Sequence, residues 1–148
     1  MNVYLSTDHG GFEMKEAIKK HLEQRGISIV DCGAHSFDGN DDYPDFIIPM
    51  AEKVAGDSGS LGVVLGRSGN GEAIASNKVK GVRCALCMTD EMARKAREHN
   101  NANVLALGGD YVDLEASKRI TDIFIDTPYG EEARHARRID KISVYETA

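Results

Sequence analysis

The sequence predicts an α/β domain built on one doubly wound sheet of five parallel strands, and three observations carry that expectation. Short apolar runs alternate with longer amphipathic segments along the whole chain. Five apolar strands separated by helices make a parallel sheet covered on both faces. The glycine-rich and polar clusters also fall at the carboxyl ends of those runs, where open α/β sheets bind their ligands. Right-handed crossovers then make the domain Rossmann-like.

NVYLS (2–6) reads as the first strand. A helix follows with Phe12, Met14, Ala17, Ile18 and Leu22 near helical spacing, closed by Gly26. ISIVD (27–31) is the second strand and 33–43 a polar loop. Residues 44–56 read as a helix and LGVVLG (61–66) as the third strand, followed by a glycine loop and a short helix over Gly71 to Asn77. VRCALC (82–87) supplies strand four, Asp90 to His99 a helix, and NVLALG (103–108) strand five. Leu114 to Phe124 is helical, and after Pro128 and Gly130 a final helix spans Glu131 to Tyr145. No repeat, low-complexity tract or linker interrupts the series, so residues 1–148 form a single domain.

Composition narrows the function. A net charge of −6 argues against a general nucleic-acid or anionic-membrane binder, so an anionic ligand needs a local cluster of cations. No apolar run approaches the roughly 18 residues of a membrane span, and the N-terminus MNVYLSTDHGG lacks signal-peptide order, so a cytoplasmic location is expected. Cys84 and Cys87 spell C-x-x-C, but three residues apart on a strand they point to opposite faces and read as buried structural thiols.

Four clusters could carry chemistry. GRSGNGE (66–72) matches neither the dinucleotide fingerprint nor the phosphate loop. Its glycines can turn amides inward at a helix start, holding a phosphate or an oxyanion formed during reaction. Glu72 favours the second use, since a fixed carboxylate repels a phosphate but serves a nascent enolate as its base; otherwise it is an ordinary first-turn residue. In STDHGG, Asp8 is either a helix cap or an acid–base group, and His9 either an exposed loop residue or an anion donor. In REHNNAN, His99 closes a helix where the dipole favours positive charge, as a proton donor needs, although His and Asn also cap helices for structural reasons. In EEARHARRID, Arg134 and Arg138 share one helical face, suited to a phosphate dianion or simply solvated beside Glu131, Glu132 and Asp140. His21 and His35 have no such company and are assigned to surface or loop.

TDHGG, DYPD (42–45), SGNGEAIASNKVKGVRCAL, EHNNANVLALGG and ARHARRID occur in the order and spacing of the type-B ribose-5-phosphate isomerases, and the chain resembles that family over its whole length. The family also includes galactose-6-phosphate and allose-6-phosphate isomerases. The resemblance implies an aldose–ketose isomerase with no metal and no organic cofactor. It also implies a homodimer or tetramer with active sites between subunits, the C-terminal helix reaching the partner. One subgroup carries a cysteine base at the end of strand three. That position here is Gly66, and the sequence is similar to the subgroup whose base is the glutamate of SGNGE, Glu72.

By the same match Asp8 and His99 open the sugar ring, Ser68 moves a proton between O1 and O2, and the backbone of Gly69, Asn70 and Gly71 forms the anion hole. Tyr43 and Asn100 match substrate contacts, and His9, Arg134 and Arg138 match phosphate ligands. Two departures stand out: Arg67 replaces a usual glycine, and Asp110 replaces the arginine of the usual GGR after strand five. They leave a tetrose 4-phosphate or hexose 6-phosphate open beside ribose 5-phosphate as substrate. Rival readings are a flavodoxin-type nucleotide-binding or sensor domain, and a subunit of a heteromeric isomerase that is inactive alone.

Overall fold

The computed structural model describes residues Met1–Ala148. Five strands, β1 (Asn2–Thr7), β2 (Ser28–Asp31), β3 (Leu61–Gly66), β4 (Cys84–Leu86) and β5 (Val104–Gly108), form one all-parallel sheet in the order β2-β1-β3-β5-β4. Six helices connect and flank them: α1 (Phe12–Gln24), α2 (Pro44–Gly56), α3 (Asn70–Asn77), α4 (Asp90–Asn100), α5 (Leu114–Asp126) and α6 (Ala133–Thr147). None is long and apolar enough to cross a membrane.

Successive strand residues face opposite sides of the sheet, and the core divides accordingly. Val3, Leu5, Val63, Leu65, Leu105 and Leu107 pack on one side beneath α1, α4 and α5, which contribute Ile18, Leu22, Ala93, Ile120 and Phe124. Tyr4, Val64, Val104 and Ala106 face the other side, under Ile47, Met50, Ala51 and Val54 of α2 and Ala75 of α3. Each fully buried Leu, Ile or Phe contributes about 1.5–3 kcal/mol by leaving water. The cysteines obey the same rule. Cys87 belongs to the first core and Cys84 packs on the second; both are free, with thiols pushed by burial up to about 11 and about 12 respectively. They are structural.

The third strand and second helix match their expected bounds, while the edge strand β4 is three residues rather than six. The last helix starts at Ala133 because Glu131 adopts a left-handed φ of 56° and Glu132 is extended. His21 lies half-buried at the surface, consistent with its assignment, but it is not without company. Its Nε2 meets the Asp122 carboxylate at 2.8 Å, and Arg25 bonds Asp122 and Asp126, so the pair ties α1 to α5. His35 is exposed, as expected.

What matters for function is where the winding reverses. From β1 the chain moves outward to β2, then returns to place β3 on the other side of β1. The ends of β1 and β3 are therefore neighbours, with Thr7 in register with Leu65 and Thr7 Oγ1 donating to the Leu65 carbonyl at 2.8 Å. The loops that leave them diverge, and a crevice opens between them.

Candidate active site

The crevice is a cavity of about 190 Å³ lined by Asp8, His9, Gly10, Tyr43, Arg67, Ser68, Gly71 and Glu72. Asp8 directly follows β1 and forms the helix cap offered for it. Its Oδ1 accepts from Gly10 N at 2.9 Å, capping a 3-10 turn over His9–Gly11, while the side chain lines the cavity. Past β3, Gly69 takes a left-handed φ of 81°, which glycine adopts without strain, and starts α3 directly beneath the cavity. The first-turn amides of α3 have no carbonyl within the helix to bond, and they carry its positive end. Ser68 Oγ accepts from Asn70 N at 3.1 Å, fixing the hydroxyl at this nest, and the Tyr43 ring lies against Gly71.

Glu72, in the first turn of α3, does not point to solvent. It is 5% exposed, and its carboxylate lies against the Cα of Gly66, so close that a Cβ there would run into it. Glycine at the end of β3 is the space in which this carboxylate sits. Burial raises its pKa above the ordinary glutamate value, a hydrogen bond to its own backbone amide opposes the rise, and the charge of Asp8 adds to it. The Glu72 carboxyl should therefore titrate above the ordinary glutamate range, and Asp8→Asn should move that titration down. Carboxyl NMR of both forms checks this; an unmoved titration in the variant would separate the two groups electrostatically.

His9 is partnered by a residue the sequence did not single out. Its backbone N–H donates to Asp41 Oδ1 at 3.0 Å and its Nδ1 lies 2.6 Å from the same oxygen. The hydrogen bond to Asp41 raises the imidazole pKa, opposed by burial and by Arg67 and helped by Asp8. With Nδ1 engaged by Asp41, Nε2 is left to meet a ligand. Asp8, His9 and Asp41 also bring metal-type ligand atoms within 4.8 Å of one another, but Asp41 holds His9 Nδ1 at 2.6 Å while Asp8 stays 4.0 Å from that nitrogen, so the group reads as a His–Asp pair beside a second carboxylate.

The other expected residues lie elsewhere in this chain. His99, at the end of α4, stacks on His135 of α6 with ring centroids 4.3 Å apart. His135 is buried and was not foreseen; burial and the nearby His99 and Arg134 lower its pKa. Asn100 lines a separate cavity with Asn77, Arg83, Ile139 and Ile142. Arg134 and Arg138 are exposed on α6, Arg134 bonding Glu132 at 3.0 Å. One copy of the chain thus brings together Asp8, His9, Tyr43, Ser68, Gly71 and Glu72, and leaves His99, Asn100, Arg134 and Arg138 outside the cavity.

A buried carboxylate, a second acid beside it and a nest of amides at a switch point define an α/β domain equipped for proton transfer from a substrate that becomes anionic. Residues 3–142 match the ribose/galactose isomerase family, and the chain belongs to it. It is 51% identical over 146 residues to ribose-5-phosphate isomerase B of Mycolicibacterium paratuberculosis, covering 99% of this chain and 92% of that one. Among solved structures, ribose-5-phosphate isomerase B of Mycoplasma genitalium with bound ribulose-5-phosphate superposes with a TM-score of 0.95 at 41% identity, covering 99% and 96% of the two chains. The Clostridium thermocellum ribose-5-phosphate isomerase B gives 0.94 at 39%, covering 99% and 98%.

Proposed function

We propose that the chain interconverts ribose 5-phosphate and ribulose 5-phosphate through an enediolate, with Glu72 as the base. The observation that carries this is the buried Glu72 carboxylate, seated on Gly66 beside the Asp8 and Ser68 side chains. Asp8 and His99 open the furanose by moving a proton from the anomeric hydroxyl to the ring oxygen. Glu72 takes the proton from C2 and returns it to C1, while Ser68 passes a proton between O1 and O2. The amides of Gly69, Asn70 and Gly71 hold the enediolate oxygens, Tyr43 and Asn100 contact the sugar, and His9, Arg134 and Arg138 take the phosphate. No electron enters or leaves, since an aldehyde at C1 becomes a ketone at C2.

Because His99, Asn100, Arg134 and Arg138 lie outside the cavity of their own chain, the reading includes a homodimer in which α4 and α6 complete the partner's site. Exposed Ile142, Val144 and Tyr145 on α6 suit that contact. Coexpressing Glu72→Gln with His99→Ala, each inactive alone, should restore about a quarter of wild-type turnover, because half the dimers are mixed and each holds one intact site. No recovery from mixed dimers would place the whole site in one chain. The reading as a whole is tested by a panel of tetrose, pentose and hexose phosphates. Ribose 5-phosphate should turn over fastest, and no aldose–ketose exchange with any of them would remove the assignment.

A further inference from the structure

Arg67 stands at the mouth of the cavity and has no role in the scheme above. It is exposed, yet its stem is placed: it crosses the turn after β1 so closely that a Cβ on Gly10 would meet Arg67 Cγ at 3.0 Å. Arg25, Arg83, Arg97 and Arg119 each donate to carboxylates or carbonyls. The Arg67 guanidinium donates to nothing, even with Asp110 nearby, whose backbone N–H bonds the Arg67 carbonyl at 2.8 Å. It is also the one Lys or Arg lining a cavity that holds Asp8 and Glu72. A pocket so acidic, in a chain of net charge −6, attracts an anion only through a cation built into it.

The position within the cavity is informative too. The Arg67 stem lies along Gly10, the residue after His9, and its charge lowers the His9 pKa, which puts the side chain at the His9 end. We propose that Arg67 is a phosphate ligand supplied by the pocket's own chain, which together with His9 takes the substrate's phosphate dianion between the loops after β1 and β3. The planar fork of a free guanidinium bonds two phosphate oxygens at once. That the anion is a sugar's phosphate rests on the isomerase reading; that an anion binds here does not.

The experiment compares Arg67→Ala and Arg67→Lys with the parent, using ribose 5-phosphate kinetics and the rise in Tm on adding inorganic phosphate. Since the Arg67 side chain makes no hydrogen bond, both variants should melt at the parent's temperature without ligand. Arg67→Ala should raise KM about tenfold to a hundredfold with kcat changed by less than about threefold, and should lose most of the phosphate-induced stabilisation. Arg67→Lys should recover part of each, keeping the charge but not the fork. A KM within about twofold of the parent, with the phosphate stabilisation intact, overturns the Arg67 role and leaves the isomerase reading standing. A parent that isomerises no sugar phosphate, but is stabilised by phosphate only when Arg67 is present, supports the anion site and removes the isomerase reading.

Discussion

Glu72→Gln should reduce kcat by at least about a hundredfold while sugar phosphate still binds, the loss expected when a positioned base is removed. The glutamine keeps the shape of a side chain packed against Gly66 and loses only the ability to accept a proton. The same substitution should raise Tm at neutral pH. An acid whose folded pKa is raised binds its proton more tightly in the folded state, so its contribution to stability declines as pH rises from below the unfolded value through the folded one. At neutral pH the buried charge is a net cost that glutamine removes. Below pH 4 the two proteins should converge, since the parent glutamate is then protonated in both states. Near-normal turnover would eliminate Glu72 as the base, and a lowered Tm at neutral pH would contradict the electrostatic account of its burial.

Gly66→Ala should cost a comparable factor, about a hundredfold, without deleting a functional group. The added methyl must displace the Glu72 carboxylate, and a reacting group moved by about 1 Å loses on the order of that much. What the methyl strikes is the end of a side chain rather than backbone, so the fold should tolerate the change. The contrast is the test, with kcat and Tm read together. Unfolding would make Gly66 a packing requirement of β3, and full activity would mean that Glu72 acts from another position.

Much of this site was legible from the chain. An apolar run ending in glycines before a helix placed Gly66, Ser68 and Glu72 at a strand end, and the doubly wound order brought Asp8 beside them. What escaped were contacts set by loop paths and helix docking, which leave no periodicity. Asp41 lies in a polar loop and reaches His9 across 32 residues. His135 falls between two arginines that drew attention to charge, and it meets His99 only because α6 lies on α4. Sequence spacing could not show that Arg67 would lie along Gly10 unpaired, or that His21 would bridge two helices.

The close approach of Gly66 and Glu72 also constrains descent. A side chain at the end of β3 and a carboxylate reaching back from α3 are alternative tenants of one volume. A lineage exchanging a strand-end base for a helix-borne one passes through an ancestor with both, which clash, or with neither, which lacks a base. Such an exchange is therefore expected to occur rarely and as a paired event, leaving residues 66 and 72 correlated among descendants.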